Sequence, residues 1–198
     1  MALKRFEING YGQLELNNVF FRREGAIEAQ CALDPASFAT EGKASKDLIY
    51  AENGMLLAVD KANGLVKLPG EDPTLPIALN YSTEHMYDER HKNLGSYYLP
   101  AGTFYPRLGY LKNGEIFTTN CLCYDSEVDT DFTDDEAVKV ALANCATTPI
   151  FGIPSACGAI QLTKDSSVSD TRVGLKVVKY YTMPDGTPGV KFQVVYCL

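Results

Sequence analysis

Gly54-Met-Leu-Leu-Ala-Val-Asp60-Lys-Ala-Asn-Gly64-Leu-Val-Lys-Leu68 is the stretch that decides the fold class. Two apolar runs flank a short polar segment that ends in Asn63-Gly64. Asn and Gly tolerate the positive φ that tight hairpins demand, so the pattern predicts strand, turn, strand. A second stretch repeats the signal: Tyr97-Tyr-Leu-Pro100-Ala-Gly-Thr-Phe-Tyr-Pro106-Arg-Leu-Gly-Tyr-Leu-Lys-Asn-Gly114-Glu-Ile-Phe-Thr-Thr-Asn-Cys-Leu-Cys-Tyr124. Its Asn113-Gly114 predicts a hairpin over 107–124. Neither half holds a nucleophile–base pair or a phosphate loop, so this region reads as scaffold.

Working outward, residues 4–12 alternate into Asn9-Gly10-Tyr11-Gly12 and predict a strand ending in a turn. Residues 13–21 and 25–33 predict a hairpin around Arg22-Arg23-Glu24-Gly25, the arginines forming a solvated tip. Asp34-Pro35 predicts a helix start, with Asp as N-cap and Pro at the first helical position, ending by Thr40. Residues 75–82 predict a strand, and 83–92 a loop or single helical turn. Residues 125–135 form an acidic linker. A helix is predicted over 134–144, with Thr133 and Glu136 as a capping box and Ala137, Val138, Ala141 and Leu142 as its apolar stripe. Residues 147–162 predict a loop with one short strand. The last hairpin joins 173–181 to 189–196 through Met183-Pro-Asp-Gly186-Thr-Pro188. The sum is about nine to eleven strands against one good helix. The expected fold is therefore mainly β: a sandwich or barrel-like single domain over 1–198, built of hairpins, with one short helix, an N-terminal arm at 1–12 and extended loops.

The chain has 198 residues, enough for a substantial core, and its 45% hydrophobic and 22% charged fractions are ordinary for a folded protein. A net charge of −7 argues against nucleic-acid binding through a generally basic surface. No apolar run reaches the length of a membrane-spanning helix. The Met-Ala-Leu-Lys-Arg-Phe-Glu opening lacks the apolar core of a signal peptide, which predicts synthesis in a cytoplasm. Cys31, Cys121, Cys123, Cys145, Cys157 and Cys197 are irregularly spaced and are expected to be buried thiols.

Catalytic signals are sparse. The two histidines sit in Glu84-His85-Met-Tyr-Asp88-Glu89-Arg90-His91, which reads either as a metal or general-base cluster or as a hydrated loop; the spacing matches no compact ligand motif. Alternation places Cys121 and Cys123 on one strand face, from which Cys145 and Cys157 could complete a tetrahedral zinc site. The spacing is not that of a known ribbon, so buried thiols are the plainer expectation. No sequence feature ties His85 to a cysteine nucleophile. The acidic 125–136 stretch lacks the spacing of a calcium loop and reads as solvated. No catalytic, metal or cofactor residue is predicted, and no enzymatic activity. Tyrosine carries the stronger signal: there are twelve Tyr and nine Phe but no Trp, and Tyr81, Tyr87, Tyr97, Tyr98, Phe104, Tyr105 and Tyr110 fall in loop-like segments. Tyr offers rigid contact area with a polar tip and is favoured at interfaces. Broken by Pro100, Gly102 and Pro106, the 97–110 segment predicts an extended docking arm.

Several stretches also resemble a family of small structural proteins of tailed bacteriophages. They are Arg5-Phe-Glu-Ile-Asn-Gly-Tyr-Gly-Gln-Leu-Glu-Leu-Asn17, Gly25-Ala-Ile-Glu-Ala-Gln-Cys31 and Glu52-Asn-Gly-Met-Leu-Leu-Ala-Val-Asp60. Ala78-Leu-Asn-Tyr-Ser-Thr-Glu-His-Met-Tyr-Asp88, Pro106-Arg-Leu-Gly-Tyr-Leu111, Met183-Pro-Asp-Gly186 and Lys191-Phe-Gln-Val194 extend the likeness over nearly the whole chain. The resemblance implies an auxiliary capsid (decoration, or cement) protein. Such a protein would assemble in the host bacterial cytoplasm and attach outside a shell of major capsid protein, often as trimers, without nucleic-acid or membrane contact and without a cofactor. Contact residues are expected at Phe6, Tyr11, Tyr97, Tyr98, Phe104, Tyr105, Arg107 and Tyr110. A tail-tube or head–tail connection protein is the structural alternative. A small metal-dependent hydrolase using His85, Asp88 and a cysteine is the alternative of another class.

Overall fold

The computed structural model describes residues 3–6, 10–45, 48–70, 72–82, 97–102, 105–183 and 186–198. In chain order the strands are β1 (Lys4–Arg5), β2 (Leu14–Glu15), β3 (Ile27–Glu28), β4 (Ala32–Leu33), β5 (Leu56–Asp60), β6 (Leu65–Lys67), β7 (Ile77–Asn80), β8 (Leu108–Gly109), β9 (Ile116–Thr119) and β10 (Leu122–Tyr124). After helix α1 (Asp135–Ala143) come β11 (Phe151–Pro154), β12 (Ile160–Thr163), β13 (Val173–Thr182) and β14 (Pro188–Cys197). They form an eight-stranded sheet, β1-β10-β12-β11-β13-β14-β9-β2, and a six-stranded sheet, β3-β8-β7-β5-β6-β4. Both are mixed, since β10 runs parallel to β12 and β4 parallel to β6. The fold is mainly β as expected, and neither sheet closes into a barrel.

The 54–68 hairpin forms as expected. Strands β5 and β6 pair antiparallel, and Gly64 takes a φ of 66° at the end of the turn. The Asp60 carboxylate holds that turn, accepting from the Asn63 backbone N–H (3.1 Å), the Asn63 amide (2.7 Å) and Lys67 Nζ (3.1 Å). All five residues of β5 are buried. Leu56 and Ala58 enter one core, shared with Phe117, Leu122, Ile160, Leu175 and Phe192 of the larger sheet. Leu57 and Val59 point into a second core with Phe38, Tyr97, Cys121 and Cys123. A strand buried on both faces reads as a continuous apolar run, which is why this stretch stands out in the sequence.

The hairpin predicted over 107–124 does not form. The chain does turn there, with Glu115 N–H donating to the Lys112 carbonyl (3.1 Å) and Gly114 at a φ of 88°. Before the turn, however, β8 pairs with β7 and β3 in the smaller sheet; after it, β9 pairs with β14 and β2 in the larger one. Asn-Gly fixes a turn, but pairing follows burial, and reciprocal bonds between Gly114–Glu115 and Val194 anchor the crossing to β14. The 13–33 hairpin is corrected in the same way, since β2 and β3 also belong to different sheets.

Other expectations change in detail. Within 1–12, the described residues 3–6 join the larger sheet: β1 pairs with β10, Phe6 N–H donates to the Leu122 carbonyl (3.0 Å) and the Phe6 ring is buried. At Asp34-Pro35 there is one turn, closed from Phe38 N–H to the Asp34 carbonyl (2.8 Å), because Phe38 is drawn into the core and bridges Ile49. Helix α1 is capped by Asp134, whose carboxylate accepts from Ala137 N–H (2.9 Å), and not by a Thr133–Glu136 box. Glu136 pairs instead with Lys139 one turn on (2.9 Å). Val138 and Leu142 carry the helix onto the first core. The acidic segment is not wholly solvated, since Asp125 and Phe132 are buried. Residues 147–162 hold two strands, paired as the β11–β12 hairpin. Among the described residues, no helix is long and apolar enough to cross a membrane.

Candidate functional site

An isolated bridge between Ala51 and Leu99 sets the geometry of the most distinctive surface. Side chains alternate on extended chain, so Ala51, Tyr97 and Leu99 turn inward and are buried, while Tyr98 faces out. Tyr50 stacks on Tyr98 with ring centroids 4.3 Å apart and planes 23° apart. Tyr11 leans against both, at 4.8 Å from Tyr98 and 6.3 Å from Tyr50. The Tyr98 hydroxyl donates to Glu41 (2.9 Å), and this bond to a carboxylate pushes its pKa up to about 12. Burial, followed by the neighbouring Tyr50, Glu52 and Glu41, raises the Tyr11 pKa.

An ion pair holds this cluster from beneath. Arg5 meets Glu52 through both terminal nitrogens (2.8 and 3.4 Å), and the same carboxylate accepts from Gly12 N–H at 2.6 Å. Tyr11, next to Gly12, is thereby held close to Glu52. Gly12 is required here: a Cβ at this position would come within 2.5 Å of the Asn53 carbonyl oxygen and 2.8 Å of Cys121 Cβ. The position of the aromatic face is thus fixed by the join between the N-terminal strand and the smaller sheet.

The eight expected contact residues divide. Tyr11 and Tyr98 come together on the surface just described. Tyr105 is 61% exposed. Arg107 folds back, donating from Nε to the Tyr81 hydroxyl (2.8 Å) with its guanidinium over the Tyr81 ring. Tyr110 lies half-buried under Lys61, whose ammonium is 5.0 Å from the ring centre. Phe6 and Tyr97 are buried in the interior. Phe104 lies outside the described residues, as does 83–96 with Glu84, His85, Asp88 and His91. Sequence reasoning missed Tyr50, Glu41 and the Arg5–Glu52 pair; Tyr50 is buried next to the buried Ala51, so strand alternation carries no signal for it.

The four-cysteine zinc reading is corrected by position. Cys121, Cys123 and Cys157 gather behind the N-terminal strand, whereas Cys145 sits just past the end of α1 with its sulfur 4.0 Å from the Val178 carbonyl oxygen. Among the described residues, no group of three or more His, Cys, Asp or Glu is placed to hold a metal ion. A separate groove of about 480 Å³ runs beside α1, lined by Val140, Ala141, Thr148 and Ile150, with the Lys164–Asp131 pair at its rim. The stacked Tyr50 and Tyr98 rings sit beside the part-buried Arg5–Glu52 pair. No family model, curated protein or solved structure matches this chain.

Proposed function

We propose that the chain is a non-enzymatic structural protein of a tailed-phage virion, a decoration protein that docks on the outside of the capsid through Tyr11 and Tyr98, with the buried Tyr50 ring backing them. The resemblance in sequence sets the class of partner. The observation that carries the docking surface is the tyrosine stack itself, held by the Arg5–Glu52 pair. Phenol rings fixed before binding lose little entropy on contact, and their hydroxyls satisfy polar groups at the rim. Each copy contributes a modest interface, and repetition over a lattice turns modest contacts into lasting retention. Bridging neighbouring capsid subunits would resist the outward pressure of packaged DNA.

Purified protein mixed with empty capsids of its phage and pelleted tests this directly. Co-sedimentation at fixed stoichiometry, with a raised capsid melting temperature, is the expected result, and Tyr98→Ala weakens it while leaving the protein folded. Protein that stays in the supernatant overturns the proposal. Rings or tubes formed by the protein alone would replace it with the tail-tube reading.

A further inference from the structure

The turn Ser155-Ala-Cys157-Gly158-Ala159 between β11 and β12 carries a feature that docking does not use. Ser155 Oγ donates to the Ala159 carbonyl (2.6 Å) and lies 3.1 Å from Cys157 Sγ. The Cys123 thiol reaches the same carbonyl from β10, at 3.9 Å. Cys123 sulfur meets the Ala159 carbonyl directly and Cys157 sulfur meets the Ser155 hydroxyl bound to that same carbonyl, so two sulfurs from separate segments share one polar neighbourhood, with Cys123 buried and Cys157 partly open to solvent. Gly158, at a φ of 78°, folds the turn against Leu57, Leu68 and Met55, and Leu56 N–H donates to its carbonyl (2.9 Å). The turn is therefore held on the smaller sheet while its flanking strands belong to the larger one. We propose that Cys157 and Cys123 form an oxidisable dithiol that closes to an intramolecular disulfide when the protein meets a hydroperoxide.

The chemistry follows from the placement. The Cys157 thiolate attacks one peroxide oxygen, the O–O bond breaks, and the leaving hydroxide takes a proton to become water. Cys123 sulfur then attacks the resulting sulfenic sulfur, the S–O bond breaks, and a second water leaves. Two thiols and one hydrogen peroxide give one disulfide and two waters, with sulfur oxidised and peroxide oxygen reduced. Cys157 suits the first role: the hydrogen bond from Cys123, then those from Ser155 and the Ala159 N–H, outweigh burial and bring its pKa down to about 6. Arg5 adds favourable charge, with Glu52 and Cys121 as the other ionisable groups around it. Cys123, its thiol held protonated by Cys157 and by burial, is the resolving partner. This inference is independent of the virion reading.

The test uses the full-length reduced protein treated with hydrogen peroxide near neutral pH, followed by mass measurement and peptide mapping. The expected product has lost about 2 Da, the mass of two hydrogens. Its Cys123 and Cys157 peptides are joined, and its melting temperature is higher by on the order of 5–10 °C until a dithiol reductant restores it. In Cys123→Ser the reaction stops at a sulfenic acid on Cys157 that dimedone traps; Cys121→Ser leaves the cross-link intact. An oxygen adduct without a cross-link in the wild type, a bridge to Cys121, or a dimer joined between chains overturns the assignment. The mapping is made on the wild-type chain, so it decides the assignment even if a cysteine variant fails to fold.

Discussion

Gly54→Ala probes the seam between the two sheets. Gly54 has a φ of 85°, and a Cβ there would overlap the Thr119 hydroxyl oxygen and lie 3.0 Å from Cys121 Cβ. That hydroxyl is committed: it donates to the Gln13 carbonyl (2.6 Å) and accepts from Cys121 N–H (3.0 Å). The left-handed backbone alone costs an alanine about 1–2 kcal/mol. Displacing a packed, hydrogen-bonded neighbour adds about 1–3 kcal/mol. Gly64→Ala is the matched control, because Gly64 has a φ of 66° with open space around its would-be Cβ, so it bears the backbone cost alone. At about 2–4 °C per kcal/mol for a chain of this size, Gly54→Ala should lower the melting temperature by about 10 °C and Gly64→Ala by about 4 °C. Thermal and urea unfolding followed by circular dichroism measure both. In a Thr119→Ala background the excess penalty at Gly54 should shrink, since the obstructing hydroxyl is gone. Equal losses for the two glycine variants would refute the claim that the seam is close-packed.

Three further outcomes follow from contacts already described. Glu52→Ala leaves the part-buried Arg5 and the Gly12 N–H without their acceptor and should cost about 1–3 kcal/mol in urea unfolding; adding Arg5→Met should recover part of that loss, and no recovery would show that the pair is not the cause. Asp134→Ala removes the cap of α1 and should cost about 1 kcal/mol, with helix signal lost first, whereas Thr133→Ala should be nearly neutral; the reverse order would restore the Thr133 cap. Hydrogen bonds from the Asn63 side chain and from Lys67 hold the Asp60 carboxyl below its ordinary 3.8, so its contribution is complete above that value and is lost as pH falls through the lower folded one. The melting-temperature gap between wild type and Asp60→Asn should therefore close on acidification below 3.8, and a gap that stays constant would refute the role given to the charge.

Local signals were legible wherever one short stretch held the whole cause. Gly64 behind a polar turn and a five-residue apolar run were enough to specify β5–β6, and the long alternating runs on either side of Gly186 specified β13–β14. Asn113-Gly114 was equally legible as a turn, but the choice of partners for β8 and β9 lies with Ile27, Leu14 and Val190, far along the chain. The aromatic surface was half legible for the same reason. Composition marks tyrosines as adhesive, yet only the Ala51–Leu99 bridge decides that Tyr98 faces out while Tyr97 is buried. Ion pairs such as Arg5–Glu52, made across 47 residues, leave no local trace at all.

The same crossing between sheets has a consequence in time. β9 lies between β2 and β14, and its register with β14 runs from Thr119 against Val190 to Ile116 against Gln193. During synthesis at roughly 5–20 residues per second, β9 therefore waits about 4–14 s for its C-terminal neighbour. Until then one edge of a strand containing Phe117 is open to any other nascent chain. Completion of the larger sheet waits for β14, so a chain cut before Pro188 should aggregate rather than fold as a smaller unit.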